Sequence, residues 1–317
     1  MPGFKRIAGT FVLVVVALSE TFSQGCSDAG FCTMGAMKPD QPFSKKVNVR
    51  LRSMELSFYH ASTITTTKIS SITADLNFSL NSKYSFQVKI PYLIANGRFA
   101  ETHALSDISL CVTRNVYSNE KFDINLSLGA KIPTNDSNLK NDKGWPLPMY
   151  YQTSLGSYDG ILGLSLISRN WLLATGIQHP FTRNGNEFAW KVEDEWAEWQ
   201  DREYLRHYSE AAELRRGTDV MLRVERNFRF SRFNFSLGML PIYRLNNDEI
   251  LDRLTNTRYK IPNAHGLALS ALFTAGYRFN VRSGIKLLVG KKLTNRDVNP
   301  DGLSREAVST FSYYYRF

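Results

Sequence analysis

The sequence predicts an all-β fold: a transmembrane antiparallel up-and-down β-barrel of about twelve strands. Three observations carry that expectation. Alternating apolar and polar segments of about ten residues recur along the chain, the links between them are short and long in turn, and the chain stops inside an aromatic alternation. In that last run Phe311, Tyr313, Tyr315 and Phe317 share one face, because strand side chains point to opposite faces in succession, while Ser312 and Arg316 point the other way. A soluble sandwich seldom ends with four aromatics on one face and no polar tail.

At the other end, Lys5 and Arg6 precede the apolar stretch 11–18 and the small or polar residues 19–24, the pattern of a secretory signal peptide over 1–24. The apolar stretch is too short for a helical span, which needs about 20 residues. An exported chain without such a span still crosses a membrane if its strands close into a barrel, which pairs every backbone group without water. Residues 25–46 are expected to form a periplasmic N-terminal segment or a small lumen insert, with the barrel over 47–317. Cys26 and Cys32 stand close enough in sequence to close a disulfide in an oxidising compartment, and lipidation of Cys26 is the alternative. Cys111 falls inside a strand pattern and reads as a small buried filler.

Composition fits a wall that is half apolar and half polar: aromatics reach 13% while mean hydropathy is negative, which excludes a helical membrane protein. The net charge is +10 and falls to about +9 when Lys5, Arg6 and Glu20 leave with the signal. Lys and Arg are spread along the chain without a basic patch, so lipid headgroups are the expected partners and nucleic acid is not.

The strand segments follow in order. The first, 47–59, slips phase near Arg52-Ser53, as at a bulge. Ile72, Ala74, Leu76, Phe78 and Leu80 then alternate with Thr73, Asp75, Asn77 and Ser79, and Tyr84, Phe86, Val88, Ile90 and Tyr92 with Ser85, Gln87 and Lys89. After 105–117, the cleanest dyad sets Phe122, Ile124, Leu126, Leu128, Ala130 and Ile132 outward and Asp123, Asn125, Ser127, Gly129 and Lys131 inward. Further strands are expected at 155–168, 170–179, from Val220, at 233–244, over 267–279, and at 281–291 and 306–317. Short links at 81–83, 118–120, 168–170, 231–232 and 280–284 alternate with longer ones at 60–70, 94–104, 133–154, 180–217, 245–264 and 292–305. An even strand number with both termini on the short-turn side is the outer-membrane arrangement, which places the termini in the periplasm and the long loops outside.

The inward rows mix small residues that leave space (Ser127, Gly129, Gly163, Ser165, Ser236, Gly238, Ser270, Gly276) with apolar Leu240, Ile242, Leu272 and Leu288. Candidate lumen-lining charges are Asp75, Lys89, Asp107, Asp123, Lys131, Asp159, Arg223, Glu225 and Arg278. Such charges either oppose one another as a transverse field across a pore or pair and stabilise the wall. The extracellular loop 180–217 carries Trp190, Trp196 and Trp199 among acidic residues; these rings either stack on a ligand as a gate or fold the loop onto the barrel mouth. Helix formers over 204–216 suggest a short surface helix or lid. A second candidate gate is 25–43, which is rich in small residues.

Three strings carry a family likeness: Asp107-Ile108-Ser109-Leu110, Gly129-Ala130-Lys131-Ile132-Pro133-Thr134 and Gly156-Ser157-Tyr158-Asp159-Gly160-Ile161-Leu162-Gly163. They resemble the meta-pathway phenol-degradation transporters, a family related to the fatty-acid and aromatic-hydrocarbon transporters of the outer membrane. The likeness covers about 105–180 and, more loosely, the strands after Arg215; Ser106 and Asn135 depart from the usual pattern. It implies passive passage of small, often hydrophobic or aromatic compounds. By a similar resemblance to bacterial outer-membrane proteins, Tyr313, Tyr315 and Phe317 look like the signal read by the barrel-insertion machinery.

The expectation is therefore a channel in the outer membrane of a Gram-negative bacterium, in contact with outer-membrane lipid and lipopolysaccharide and passing a small-molecule solute. A closed structural or surface-interaction barrel is the alternative. A lipid hydrolase is a minor one: His60-Ala61-Ser62 has a histidine and a serine two apart, but no orienting group is evident beside them. The chain is not expected to be an enzyme or to hold a cofactor or metal, since it shows no glycine-rich phosphate loop, zinc spacing or calcium loop.

Overall fold

The structure, a computed structural model, describes residues 50–63, 65, 67–190 and 203–317. Its strands are β1 (Arg50–Ser62), β2 (Lys68–Ser79), β3 (Tyr84–Asn96), β4 (Glu101–Leu105), β5 (Ile108–Ser118), β6 (Phe122–Ile132), β7 (Asp159–Ser168), β8 (Trp171–Pro180), β9 (Asp219–Arg229), β10 (Phe233–Arg244), β11 (Glu249–Asp252), β12 (Thr257–Lys260), β13 (Gly266–Arg278), β14 (Ser283–Thr294) and β15 (Ala307–Arg316). Each barrel strand pairs antiparallel with its neighbours, β15 pairs with β1, and β2 pairs with β3, so the sheet closes on itself. β4 and β5 follow one another along β3 and occupy a single position, which makes a twelve-strand barrel. The fold class expected from the sequence is the one observed.

Alternation explains why these segments are strands of a membrane barrel and not of a soluble sheet. In β6 the polar residues Asn125, Ser127 and Lys131 are buried, whereas Leu126 and Leu128 are exposed, Leu128 by 66%. Exposure of the apolar set on strand after strand makes sense only if the outer solvent is hydrocarbon. Leu128→Arg is accordingly expected to cost about 2–4 kcal/mol of barrel stability, near the middle of a lipid-facing row. Equilibrium unfolding from lipid vesicles would measure it, and a neutral result would mean that this face does not meet lipid.

Irregularities have local causes. The slip expected near Arg52-Ser53 is a register shift between Leu51 and Ser53 against β2. The break between β4 and β5 lies beside Pro91 of β3, whose nitrogen has no hydrogen to give to the ladder; its carbonyl instead accepts from the Ser106 amide at 2.8 Å. The link expected over 94–104 is largely paired, since Leu93–Asn96 ladder with Glu101–Ala104 and leave a turn at 97–100. β11 and β12 form a hairpin inside the 245–265 loop.

Five short turns (80–83, 119–121, 169–170, 230–232, 279–282), the start of β1 and the end of β15 lie at one end of the barrel, here the turn end. All long connections gather at the other, the loop end. The surface helix expected over 204–216 is a correction: helical geometry stops at Leu205, and most of the rest turns and extends. Beyond a few local turn bonds, the backbone there bonds to another segment, with Ala211 N–H donating to the Phe188 carbonyl (3.1 Å), Glu213 N–H to that of Asn186 (2.8 Å) and Leu214 N–H to Asn184 Oδ1 (2.8 Å). Strand β7 likewise starts at Asp159 rather than near 155, because 154–155 is held by the side chain of Asp107.

Candidate functional site

The candidate site is the lumen together with the loops that close its mouth. At mid-wall several inward polar residues bond one another. Asp75 accepts from Gln87 Nε2 at 2.8 Å through both carboxylate oxygens and from Asn77 Nδ2 at 3.0 Å, and Lys89 stands opposite it in register. Arg223 donates from Nε to Glu225 at 2.7 Å, and the Thr113 and Ser127 hydroxyls bond at 2.7 Å. Buried charge is stable only when paired and hydrogen-bonded, so these contacts belong to the wall and not to a transverse field.

Small residues do not leave the wall bare. A Cβ on Gly238 would stand 2.4 Å from Cγ of Glu225, so the glycine is the room in which the Glu225 side chain lies. Beside this polar region is an apolar one. Cys111 of β5, Ile161 of β7, Leu172 and Ala174 of β8, Met221 of β9, Leu240 of β10 and Leu272 of β13 pack together at 0–3% exposure, with Ile167 and Ile242 against them. They come from strands that reach half-way round the wall, and they fill part of the barrel interior with a packed apolar core. Leu288 belongs to a separate cluster around Tyr59, Ile69, Leu93 and Val308.

The loops build a cap with its own core. Leu147, Tyr150, Tyr151, Phe188, Leu205 and Tyr208 are buried together, with Phe99, Trp190 and Tyr204 packed on them. Trp190 Nε1 donates to the Tyr208 carbonyl at 2.7 Å, so this ring folds its loop onto the mouth; Trp196 and Trp199 lie outside the described residues. Desolvation pushes the Tyr150 phenol up to about 12 and Tyr208 higher still, so both stay neutral as hydrogen-bonding core residues. Gly302, at φ +64°, admits the close approach of Met149: a Cβ there would stand 2.7 Å from the Met149 carbonyl carbon.

Ion pairs fasten the cap to the wall. Arg244, at the end of β10 and 1% exposed, bonds Asp219 (2.7 Å), Asp248 (2.8 Å) and Asp301 (2.9 Å); Arg296 reaches Asp301 at 3.4 Å. Arg216 pairs with Asp159, which also accepts from Ser157 Oγ at 2.8 Å and Gln178 Nε2 at 2.5 Å. Lys131 sits 3.4 Å from Asp107, the residue freed by the β4–β5 break, and Asp107 accepts from Ser154 Oγ (2.5 Å) and the Leu155 amide (3.0 Å). A cavity of about 20 Å³, room for little more than a water molecule, lies here against Leu93, Lys131, Ser154, Asp301 and Arg305.

Of the charges singled out in the sequence, Asp75, Asp107, Lys131, Asp159, Arg223 and Glu225 are thus buried in the barrel. Asp123 is half-buried near the turn end, where Ser118 Oγ donates to it, and Arg278 is exposed at that end, donating to the Ser231 carbonyl at 2.8 Å. The sequence reading missed Arg244, Arg216, Asp248 and Asp301. Arg244 alone had a local signal, since it continues the inward series Gly238, Leu240, Ile242. Cys111 is buried, its Sγ 3.7 Å from the Thr113 hydroxyl; Cys26 and Cys32 lie outside the described residues, as does the candidate gate 25–43. His60 is exposed on the outward face of β1, and its Nδ1 bonds Ser70 Oγ of β2 at 3.0 Å.

A closed twelve-strand barrel with an apolar exterior, short turns at one end and a folded loop cap at the other has the fold of outer-membrane β-barrel channels. No family model and no curated protein matches the chain. Among solved structures it is similar to an outer membrane channel from Pseudomonas putida F1, at 11% identity and a TM-score of 0.59, over 88% of this chain and 99% of that one. It is also similar to the NanC porin (8% identity, TM-score 0.44, 84% and 98% covered) and to the KdgM porin in complex with disordered oligogalacturonate (7%, 0.43, 84% and 99%). Identities at this level speak to fold alone.

Proposed function

We propose that the protein is a channel of the Gram-negative outer membrane, with its turns in the periplasm, through which small hydrophobic or aromatic compounds pass by diffusion. The observation that carries this reading is the apolar cluster of Leu172, Met221, Leu240, Leu272 and their neighbours on the inner side of a wall whose outer side is already apolar. An interior that served only sugars or ions would gain nothing from such a core, whereas a nonpolar solute that parts these side chains is stabilised on leaving water for apolar surroundings. The resemblance to phenol-degradation transporters supports the same solute class.

Liposome swelling with aromatic acids set against sugars, together with planar-bilayer conductance, tests it. Entry of the aromatic acids well ahead of sugars of similar size is the expected result. The loop cap favours a second reading, a closed barrel whose outer loops bind a surface partner, because its cores and ion pairs fill the mouth. Protein that neither conducts nor admits any solute would overturn the channel and favour that second reading.

A further inference from the structure

Every one of the five short turns carries a cation at its tip: Lys83, Lys121, Arg169, Arg232 and Arg282, all exposed. Three turns are built alike. Asn81 Oδ1 accepts from the amides of Lys83 (2.8 Å) and Tyr84 (2.9 Å), Asn119 Oδ1 from those of Lys121 (2.9 Å) and Phe122 (2.8 Å), and Asn280 Oδ1 from those of Arg282 (2.8 Å) and Ser283 (2.9 Å). Such an Asn-capped turn fixes the backbone locally and leaves the basic side chain to project off the barrel end.

In four of the five turns the returning strand begins with an aromatic near the tip: Tyr84, Phe122, Trp171 and Phe233. Arg114 lies over the Tyr84 ring at 5.5 Å and Arg226 over Trp171 at 5.0 Å, so further guanidinium groups rest on this aromatic girdle. At the β1–β15 seam, Arg50, Arg52 and Arg316 complete the circle. The acidic residues near these turns are Glu120 and Asp123. At the loop end, by contrast, surface cations meet carboxylates, as Lys140 meets Glu187 at 3.1 Å and Arg183 meets Glu249 at 2.7 Å. Among the described residues the five turn cations make no ion pair.

We propose that the turn end is a binding surface for anionic phospholipid headgroups, whose phosphates the turn cations hold in the leaflet that meets this end. A ring, rather than a one-sided patch, matches an annulus of headgroups around a barrel; an acidic protein partner would face one side only. The aromatic girdle sets the depth at which the cations emerge, and basic side chains reaching from an apolar stem to the headgroups are stabilised there. The proposal is independent of what the lumen passes.

The test uses the full chain in bilayers of phosphatidylcholine containing spin-labelled phosphatidylglycerol or spin-labelled phosphatidylcholine, with electron paramagnetic resonance reading the lipid immobilised on the protein. At low salt the wild type is expected to favour phosphatidylglycerol by about fivefold, one turn cation engaging one headgroup. High salt should reduce that preference, and the K83Q/K121Q/R169Q/R232Q/R282Q variant should lose it. A loop-end K140Q/R183Q variant should keep it. Equal retention of the two lipids by the wild type overturns the proposal whether or not the five-fold variant folds. So does a preference that survives in the folded variant, or one that millimolar inorganic phosphate abolishes.

Discussion

Asp301→Asn is expected to loosen the cap by about 3–5 kcal/mol at neutral pH, the cost of leaving buried charge without its partner. Asp301 is fully enclosed and lies 2.9 Å from Arg244 and 3.4 Å from Arg296. Burial works to protonate it, but Arg244, Arg296 and Arg216 overcome that and hold its carboxyl well below the usual range. Its contribution is therefore present above the ordinary carboxylate pKa and is lost as pH falls through the depressed one. Asp248 shares Arg244 but is pushed the other way, by burial first and then by the charge of Asp301 beside it. What Asp248 contributes is full while it is protonated and fades as pH rises through its raised pKa. Asp248→Asn is expected to cost less than Asp301→Asn, because burial and the neighbouring Asp301 carboxylate already disfavour the charge of Asp248. Hydrogen exchange of the amides in 133–158 and 295–306 measures both, and equal losses in the two variants would show that the pair does not divide its charge this way.

Shortening two side chains of the apolar cluster should act on the lumen itself. Leu240 and Leu272 are 1% and 3% exposed, and each truncation to Ala in a packed environment costs about 2–5 kcal/mol. The Leu240→Ala/Leu272→Ala protein is expected to be less stable and, on the proposed route through the interior, to conduct more. Val289→Ala, on the outward face of β14, changes a residue that meets lipid and should leave conductance unaltered. Single-channel recording beside thermal unfolding separates the effects. Unchanged conductance in a folded double variant would place the cluster off the path.

The barrel was legible because its cause acts on every residue separately. Lipid outside and a packed interior inside impose a period of two, and Phe122–Ile132 or Leu267–Phe279 record that period without reference to any distant residue. The slip at Arg52-Ser53 and the inward aim of Asp75, Lys131 and Glu225 could be read for the same reason. The cap could not, since its bonds join residues remote in sequence. Arg244 meets Asp301, Thr67 meets Tyr208 and Asp107 meets Ser154, and no spacing along the chain announces such partners. The helix expected over 204–216 failed on the same ground: strand-like bonds to 184–188 outcompeted the local ones that helix propensity describes. Charge shows the division most plainly. In sequence the turn cations are separated by long stretches and look scattered, whereas closure of the barrel brings Lys83, Lys121, Arg169, Arg232 and Arg282 to one rim, because every second connection returns to the same end. By itself the sequence determined the barrel, its strand number and which face of each strand meets lipid. Only the tertiary structure decided how the mouth is closed, which charges pair and where the surplus positive charge collects, since those depend on which ends of the strands come together.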